Sequence, residues 1–182
     1  MHSHYFNGYV FKIFKMKKII FPVVFLIVGL ITNAQQIKKV EIMATGLTCS
    51  MCSNAINKQL KTIVEVEKVD IDLNKNLFVI TLNADNKLTP KSFKDKVEKA
   101  GFFIGSMVLT VNFAIQHVED NKQIDNYIFI DTKTQTLNGL AKVKVLDKGY
   151  VTAKEYKKLA KIFVKYQTYA KGVEGIFHLK AI

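Results

Sequence analysis

Six segments between residues 37 and 113 differ in the spacing of their apolar residues, and this order constrains the fold more than any other feature. Apolar residues recur at every second position, the spacing of a half-buried strand, in the segments 39–44, 69–73 and 77–82, and a long apolar run at 102–113 predicts a fourth strand. Apolar residues recur three and four positions apart, the spacing of an amphipathic helix, in the segments 54–63 and 91–100. The order β-α-β-β-α-β predicts a ferredoxin-like α+β domain over 37–113, with an antiparallel sheet and both helices on one face.

Residues 114–182 are predicted to form a second, small α+β domain. The polar segment 117–126 is predicted to be a linker or long loop. Strands are predicted at 127–131, 141–146 and 175–182, with Asn138-Gly139 as a turn, and a capping box at Thr152 and Glu155 predicts a helix over about 153–166. This pattern fits a small α+β sandwich or an OB-like barrel and leaves both open. We expect this domain to supply a docking surface or stability.

The segment that begins at Met16 has the pattern of a secretory signal peptide. Two lysines precede a 13-residue apolar stretch, Ile19–Ile31, and cleavage is expected between Ala34 and Gln35. A membrane span needs roughly 20 apolar residues, so this stretch is too short for an anchor. We therefore predict that residues 1–34 are an N-terminal extension and signal peptide, and that the mature protein is periplasmic or secreted, without a membrane anchor.

The charge of the chain comes from lysine alone. The formal net charge is +12, all 27 basic residues are lysines, and arginine and tryptophan are absent. Proteins that read nucleic acids use arginine for bidentate contacts and aromatic side chains for stacking on bases. We therefore expect a solvated, lysine-rich surface and no nucleic-acid partner.

The two cysteines, Cys49 and Cys52, lie in the sequence GLTCSMC between the first predicted strand and the first predicted helix. Unbonded N–H groups and the positive end of a helix stabilise thiolates at such a position. Two converging thiolates suit a soft ion of low coordination number, with Cu(I) first, whereas a structural zinc site needs four ligands. In an exported protein the same spacing also fits a thiol-disulfide redox pair or a structural disulfide. All three uses remain open on spacing alone.

Other residues of ligand type are predicted to have structural or surface roles. Met51 lies between the cysteines and is expected to face solvent, while Met43 and Met107 fall in strands and are expected to be packing residues. His117 and His178 each stand alone, with no second ligand at metal-binding spacing. No Ser/His/Asp set, paired-carboxylate site or glycine-rich phosphate loop is recognisable, so we do not expect an enzyme.

Residues 38–110 resemble the heavy-metal-associated domain family. The loop of that family is Gly-Met-Thr-Cys-x-x-Cys, and this chain has Gly46-Leu47-Thr48-Cys49-Ser50-Met51-Cys52 within the same βαββαβ order. Leu47 replaces the methionine of the family and should pack in its place. Phe102 stands where many bacterial copper chaperones have tyrosine.

The resemblance implies that Cys49 and Cys52 bind Cu(I) and pass it to a partner by ligand exchange. Hg(II), Zn(II) and Cd(II) are the other soft ions that such a pair would accept. The partner implied is a membrane metal transporter or another metal-binding protein. The working hypothesis is an exported metal-binding protein, with a thiol-disulfide redox protein and an interaction module held by a structural disulfide as alternatives.

Overall fold

The computed structural model describes residues 35–47 and 50–182. The predictions for residues 1–34 and for Cys49 lie outside the described residues. The helices and strands follow the order Gln36–Thr45 (β1), Ser50–Leu60 (α1), Val66–Asp72 (β2), Leu77–Leu82 (β3), Pro90–Lys99 (α2), Phe103–Val118 (β4), Lys122–Ile124 (β5), Tyr127–Phe129 (β6), Gln135–Val145 (β7), Ala153–Ile162 (α3), Gln167–Lys171 (α4) and Phe177–Ala181 (β8). None of the helices described is both long enough and apolar enough to cross a membrane.

The first six elements have the predicted ferredoxin-like topology. Their strands are antiparallel and lie in the order β2-β3-β1-β4. The alternation in β1 buries Val40 and Ile42, and the buried faces of α1 and α2 join the same core through Ile56 and Phe93, among others. Thr89 is the N-cap of α2, as its position before Pro90 predicts. The α+β prediction for this part of the chain is confirmed.

The sheet does not stop at the predicted boundary between residues 113 and 114. β4 continues to Val118 and pairs with β7 in antiparallel fashion, and the order continues as β4-β7-β8-β6-β5. Within the described residues this is one open sheet of eight strands, so the OB-like alternative for 114–182 is not confirmed. Independent folding of 37–113 and 114–182 stays a prediction, to be tested by unfolding.

Three local predictions after residue 113 are corrected. The segment 117–126 is not a long loop, because it contains the end of β4 and the whole of β5. Asn138-Gly139 is not a hairpin turn; Gly139 lies inside β7 with φ of 73°, opposite Phe113, where the pairing with β4 shifts register. A glycine with positive φ is typical of such a β-bulge as well as of a turn. The helix predicted over about 153–166 is shorter than predicted: α3 ends at Ile162, and the separate short helix α4 begins at Gln167, beyond the predicted range.

β6, in the C-terminal half of the sheet, is buried on both faces. Phe129 on β6 belongs to the core shared with the first half, where its ring lies 6.2 Å from that of Phe113 on β4. Its neighbours Ile128 and Ile130 point to the other face and pack with Phe163 and other residues of the α3–α4 region. Because successive side chains of a strand point to opposite faces, β6 connects two hydrophobic clusters.

Candidate metal site

The loop between β1 and α1 carries the predicted ligands. Cys52 lies in the first turn of α1, which begins at Ser50, and its side chain is half-buried. Cys49 lies outside the described residues. The first turn of a helix has N–H groups without intrahelical partners and a positive electrostatic potential, and both favour a thiolate. One of the two predicted ligands is thus described, at a position suited to bind a soft cation.

Three residues hold the base of this loop in place. Thr45, at the end of β1, pairs with Phe103 at the start of β4, and its hydroxyl donates a hydrogen bond to the Phe103 carbonyl at 3.3 Å. Leu47 packs against the core, as expected for an apolar replacement of methionine, and Phe102 packs there as well. The N-terminal end of the loop is therefore fixed by contacts with the start of β4 and with the core.

The methionines differ in their surroundings. Met51 is 79% exposed, as expected for the position between the two cysteines, and Met107 is fully buried in the core, as predicted. Met43 is 45% exposed, so its predicted packing role is wrong; it lies on the face of β1 opposite to Ile42. Only Met51 is therefore placed on the metal loop itself.

The histidines lie apart from the cysteine loop in the sequence and have other contacts. His117 is exposed on β4, with its Nδ1 3.5 Å from the hydroxyl of Thr136. His178 is fully buried on β8. Among residues 35–47 and 50–182, no three His, Cys, Asp or Glu side chains are grouped so that they could hold a metal ion.

The contacts of His178 form a cluster that the sequence does not predict. The His178 Nδ1 lies 2.6 Å from Asp147 Oδ1, and Asp147 Oδ2 accepts a hydrogen bond of 2.6 Å from the His178 backbone N–H. Nε2 lies 2.9 Å from the hydroxyl of Thr168. Because a carboxylate only accepts, Nδ1 donates to Asp147, and in the neutral ring Nε2 then accepts from the Thr168 hydroxyl.

This order of hydroxyl, imidazole and carboxylate has the connectivity of a hydrolytic triad. The imidazole is fully buried, however, and the edge-on Tyr169 ring lies 5.2 Å from it. We therefore interpret the cluster as a clamp that fastens β8 to the β7–α3 connection and to α4. Its members are separated by 10 and 31 positions, and no local pattern marks them.

A cavity of about 560 Å³ lies beside the start of α4, and its lining includes Lys165 and Tyr166, which directly precede that helix. Asp120 on its wall accepts hydrogen bonds from the Tyr166 hydroxyl at 2.6 and 2.8 Å and from Lys165 at 3.3 Å. Burial opposes the ionisation of Asp120, but these hydrogen bonds outweigh it and hold the pKa of the carboxyl below its ordinary value.

Tyr166→Phe is expected to raise the pKa of Asp120 towards its ordinary value, because the ring is kept and the hydroxyl donor is lost. A lowered pKa in the folded state stabilises the protein above the pKa of the unfolded state, and this stabilisation is lost as the pH falls through the folded value. In the variant this stabilisation should therefore be smaller, and its loss should be complete at a higher pH. Carboxyl carbon NMR titration measures the pKa, with Tyr156→Phe as control. An unchanged Asp120 pKa would contradict the assignment.

Comparison with known proteins identifies the first part of the chain. Residues 41–103 match the model of the heavy-metal-associated domain. A copper-transporting ATPase of Saccharomyces cerevisiae is 40% identical over 65 residues, which are 36% of this chain and 6% of the ATPase. The match thus spans only a small part of the length of that curated relative.

Solved structures match the same part. The yeast copper transporter domain Ccc2a, solved in apo and Cu(I)-loaded states, is 40% identical, with 36% of this chain and 88% of that chain covered and a TM-score of 0.33. The N-terminal domain of a potential copper-translocating P-type ATPase from Bacillus subtilis is 25% identical, with 37% and 82% covered and a TM-score of 0.33. From the family match, residues 41–103 of this chain are a heavy-metal-associated domain.

Proposed function

We propose that this chain is an exported protein that binds Cu(I) through the thiolates of Cys49 and Cys52 and carries it to another protein. The observation that carries the proposal is the Cys-x-x-Cys sequence at the β1–α1 junction of a heavy-metal-associated domain. The names of the similar proteins, a copper-transporting ATPase and a Cu(I)-loaded copper transporter domain, support copper as the ion.

The chemistry of the pair supports a soft ion. Thiolates prefer Cu(I) to hard cations, and Cys52 in the first turn of α1 is favoured as a thiolate. Hg(II), Zn(II) and Cd(II) are the competing ions. The acceptor we propose is a membrane metal transporter or another metal-binding protein. In an exported protein the pair must be reduced before it can bind metal, since the compartment favours the disulfide.

The test is a titration of the reduced protein, starting at Gln35, with Cu(I) against a chromogenic chelator. We expect one ion per chain. Cys49→Ser/Cys52→Ser should weaken binding by far more than about 100-fold, since even the loss of a hydrogen bond that supports a ligand costs 10- to 100-fold.

Met51→Ala is the matched control within the loop, because Met51 is exposed and its thioether is not required by the proposal. It should leave the Cu(I) affinity within about threefold of the original, a factor that corresponds to less than 1 kcal/mol. Equal affinity in the double serine variant would overturn the proposal. Catalytic turnover of a disulfide substrate without Cu(I) binding would favour the redox alternative.

A further inference from the structure

A groove of about 670 Å³ opens beside the metal loop, and we call it the loop-side groove. One wall includes Thr45 and Phe103, which belong to the heavy-metal-associated domain. The other wall includes Val151, Tyr156 and Lys157, which lie beyond the residues that match the family. The groove therefore exists only because the chain continues past residue 103.

The groove lies within reach of any protein that touches the metal loop. Thr45 on its wall is separated by four residues from Ser50, the first residue of α1. A chain spans at most about 3.6 Å per residue, so the two ends of the loop are no more than about 18 Å apart. A partner that contacts Cys52 in the first turn of α1 is therefore close enough to reach Thr45 at the edge of the groove.

The two walls are packed together closely. Gly149, in the segment between β7 and α3, lies so near α2 that a Cβ there would be 2.5 Å from Cε of Lys94. The Lys94 ammonium lies 5.7 Å from the centre of the Tyr150 ring and 3.4 Å from a carboxylate oxygen of Glu98. The segment between β7 and α3 is thus packed directly against α2 at the groove.

The lining of the groove is apolar and its rim is basic. Phe103, one of the lining residues, is 68% exposed. Glu98 is paired with Lys94, whereas Lys148 and Lys157 are exposed and give the rim a net positive charge. An apolar centre with a charged rim is the composition of a protein-protein docking site.

We propose that the loop-side groove docks the protein that exchanges metal with the cysteine loop, and that this partner inserts an apolar side chain flanked by carboxylates. The inference rests on the proposed metal-carrying function. The apolar side chain would cover Phe103, and the carboxylates would face Lys148 and Lys157. A second copy of this chain fits poorly, because symmetric docking would bring the same lysines together.

Two synthetic peptides serve as probes for this docking. Each contains Cys-Ser-Met-Cys, flanked by Glu-Leu-Glu in one and by Lys-Leu-Lys in the other. Stopped-flow mixing with the Cu(I)-loaded protein at low salt measures the transfer rate, which should be higher for the acidic peptide. Lys148→Glu/Lys157→Glu should slow transfer to that peptide by about tenfold or more, a typical size for electrostatic steering, and added salt should reduce the difference.

Lys61→Glu/Lys87→Glu is the matched control. It makes the same change in net charge, after the end of α1 and before the start of α2, away from the loop that joins β1 to α1. This variant should leave the transfer rate unchanged, and neither double variant should change the Cu(I) affinity measured with the chelator. Equal slowing in both double variants, or no slowing in Lys148→Glu/Lys157→Glu, would overturn the inference.

A metal-free measurement separates this inference from the proposed function. The acidic peptide with serines in place of its cysteines is titrated into the metal-free protein by calorimetry, and Lys148→Glu/Lys157→Glu should weaken its binding by about tenfold. Failure of Cu(I) binding with this result intact would overturn the metal-carrying function and keep the docking site. Lysine-dependent self-association, or lysine-dependent binding to phosphatidylglycerol vesicles without peptide binding, would overturn the docking inference.

Discussion

Asp147→Ala is expected to lower the free energy of unfolding by about 3 kcal/mol, because it leaves two buried donors of His178 without acceptors. Both carboxylate oxygens of Asp147 are used, one by the backbone N–H and the other by the ring of His178, each at 2.6 Å. The ring is fully buried, whereas the Asp147 side chain is 17% exposed, so water that enters in its place would recover only part of the loss. Urea unfolding measures the change.

Asp147→Asn separates the two hydrogen bonds. The amide oxygen can still accept from one of the two donors, so the loss should be about half of that in Asp147→Ala. Asp85→Ala is the control, since Asp85 is an exposed residue of the β3–α2 connection and its replacement should change stability by less than about 0.5 kcal/mol. A loss in Asp147→Ala no larger than this would show that the clamp contributes nothing to stability.

The His178 clamp and the loop-side groove are connected by the chain that follows Asp147. Asp147 immediately precedes the segment 148–152, which forms part of the groove wall and rests on α2 through Gly149 and Tyr150. Loss of the clamp should therefore loosen this wall. We expect faster amide hydrogen exchange in 148–152 in Asp147→Ala than in the control.

The sequence predicts best those elements that have one buried and one solvent-exposed face. β1 buries Val40 and Ile42 and leaves Lys39 and Glu41 less buried, so its alternation is visible in the sequence. β6 has no such alternation, because Tyr127, Ile128 and Phe129 are all buried between two clusters. A strand covered on both faces appears as a short apolar run, which predicts neither its length nor its neighbours.

In the candidate site, too, local features can be predicted from the sequence, whereas features that depend on distant contacts cannot. The position of Cys52 follows from local sequence, because a strand, a loop and a helix start are local features. The His178 cluster and the loop-side groove depend on contacts between residues far apart in the chain, such as Gly149 with Lys94, and no periodicity encodes these. The sequence thus predicts the position of Cys52 at the start of α1 but not the surface around it.

Phe113→Ala is expected to lower the free energy of unfolding by about 4 kcal/mol, as large-to-small changes at buried phenylalanines do. Phe113 is almost fully buried on β4, and its ring contacts that of Phe129 on β6, so its loss opens a cavity in the core shared by both parts of the sheet. Ile115 lies two residues further along β4 and is 77% exposed; Ile115→Ala should have little effect and is the matched control.

The same variant decides whether 37–113 and 114–182 unfold separately. The tyrosines of residues 35–182 all lie after residue 113, so tyrosine fluorescence reports on the second part, in a chain without tryptophan. Hydrogen exchange at Phe78 and Ile80, buried in β3, reports on the first part. If both parts share one core, Phe113→Ala should shift the unfolding seen by tyrosine fluorescence and the unfolding seen by hydrogen exchange in β3 by the same amount. Two separate unfolding transitions, only one of which is shifted by the substitution, would instead support the two-domain prediction. The pairing of β4 with β7 would then join two domains that fold independently.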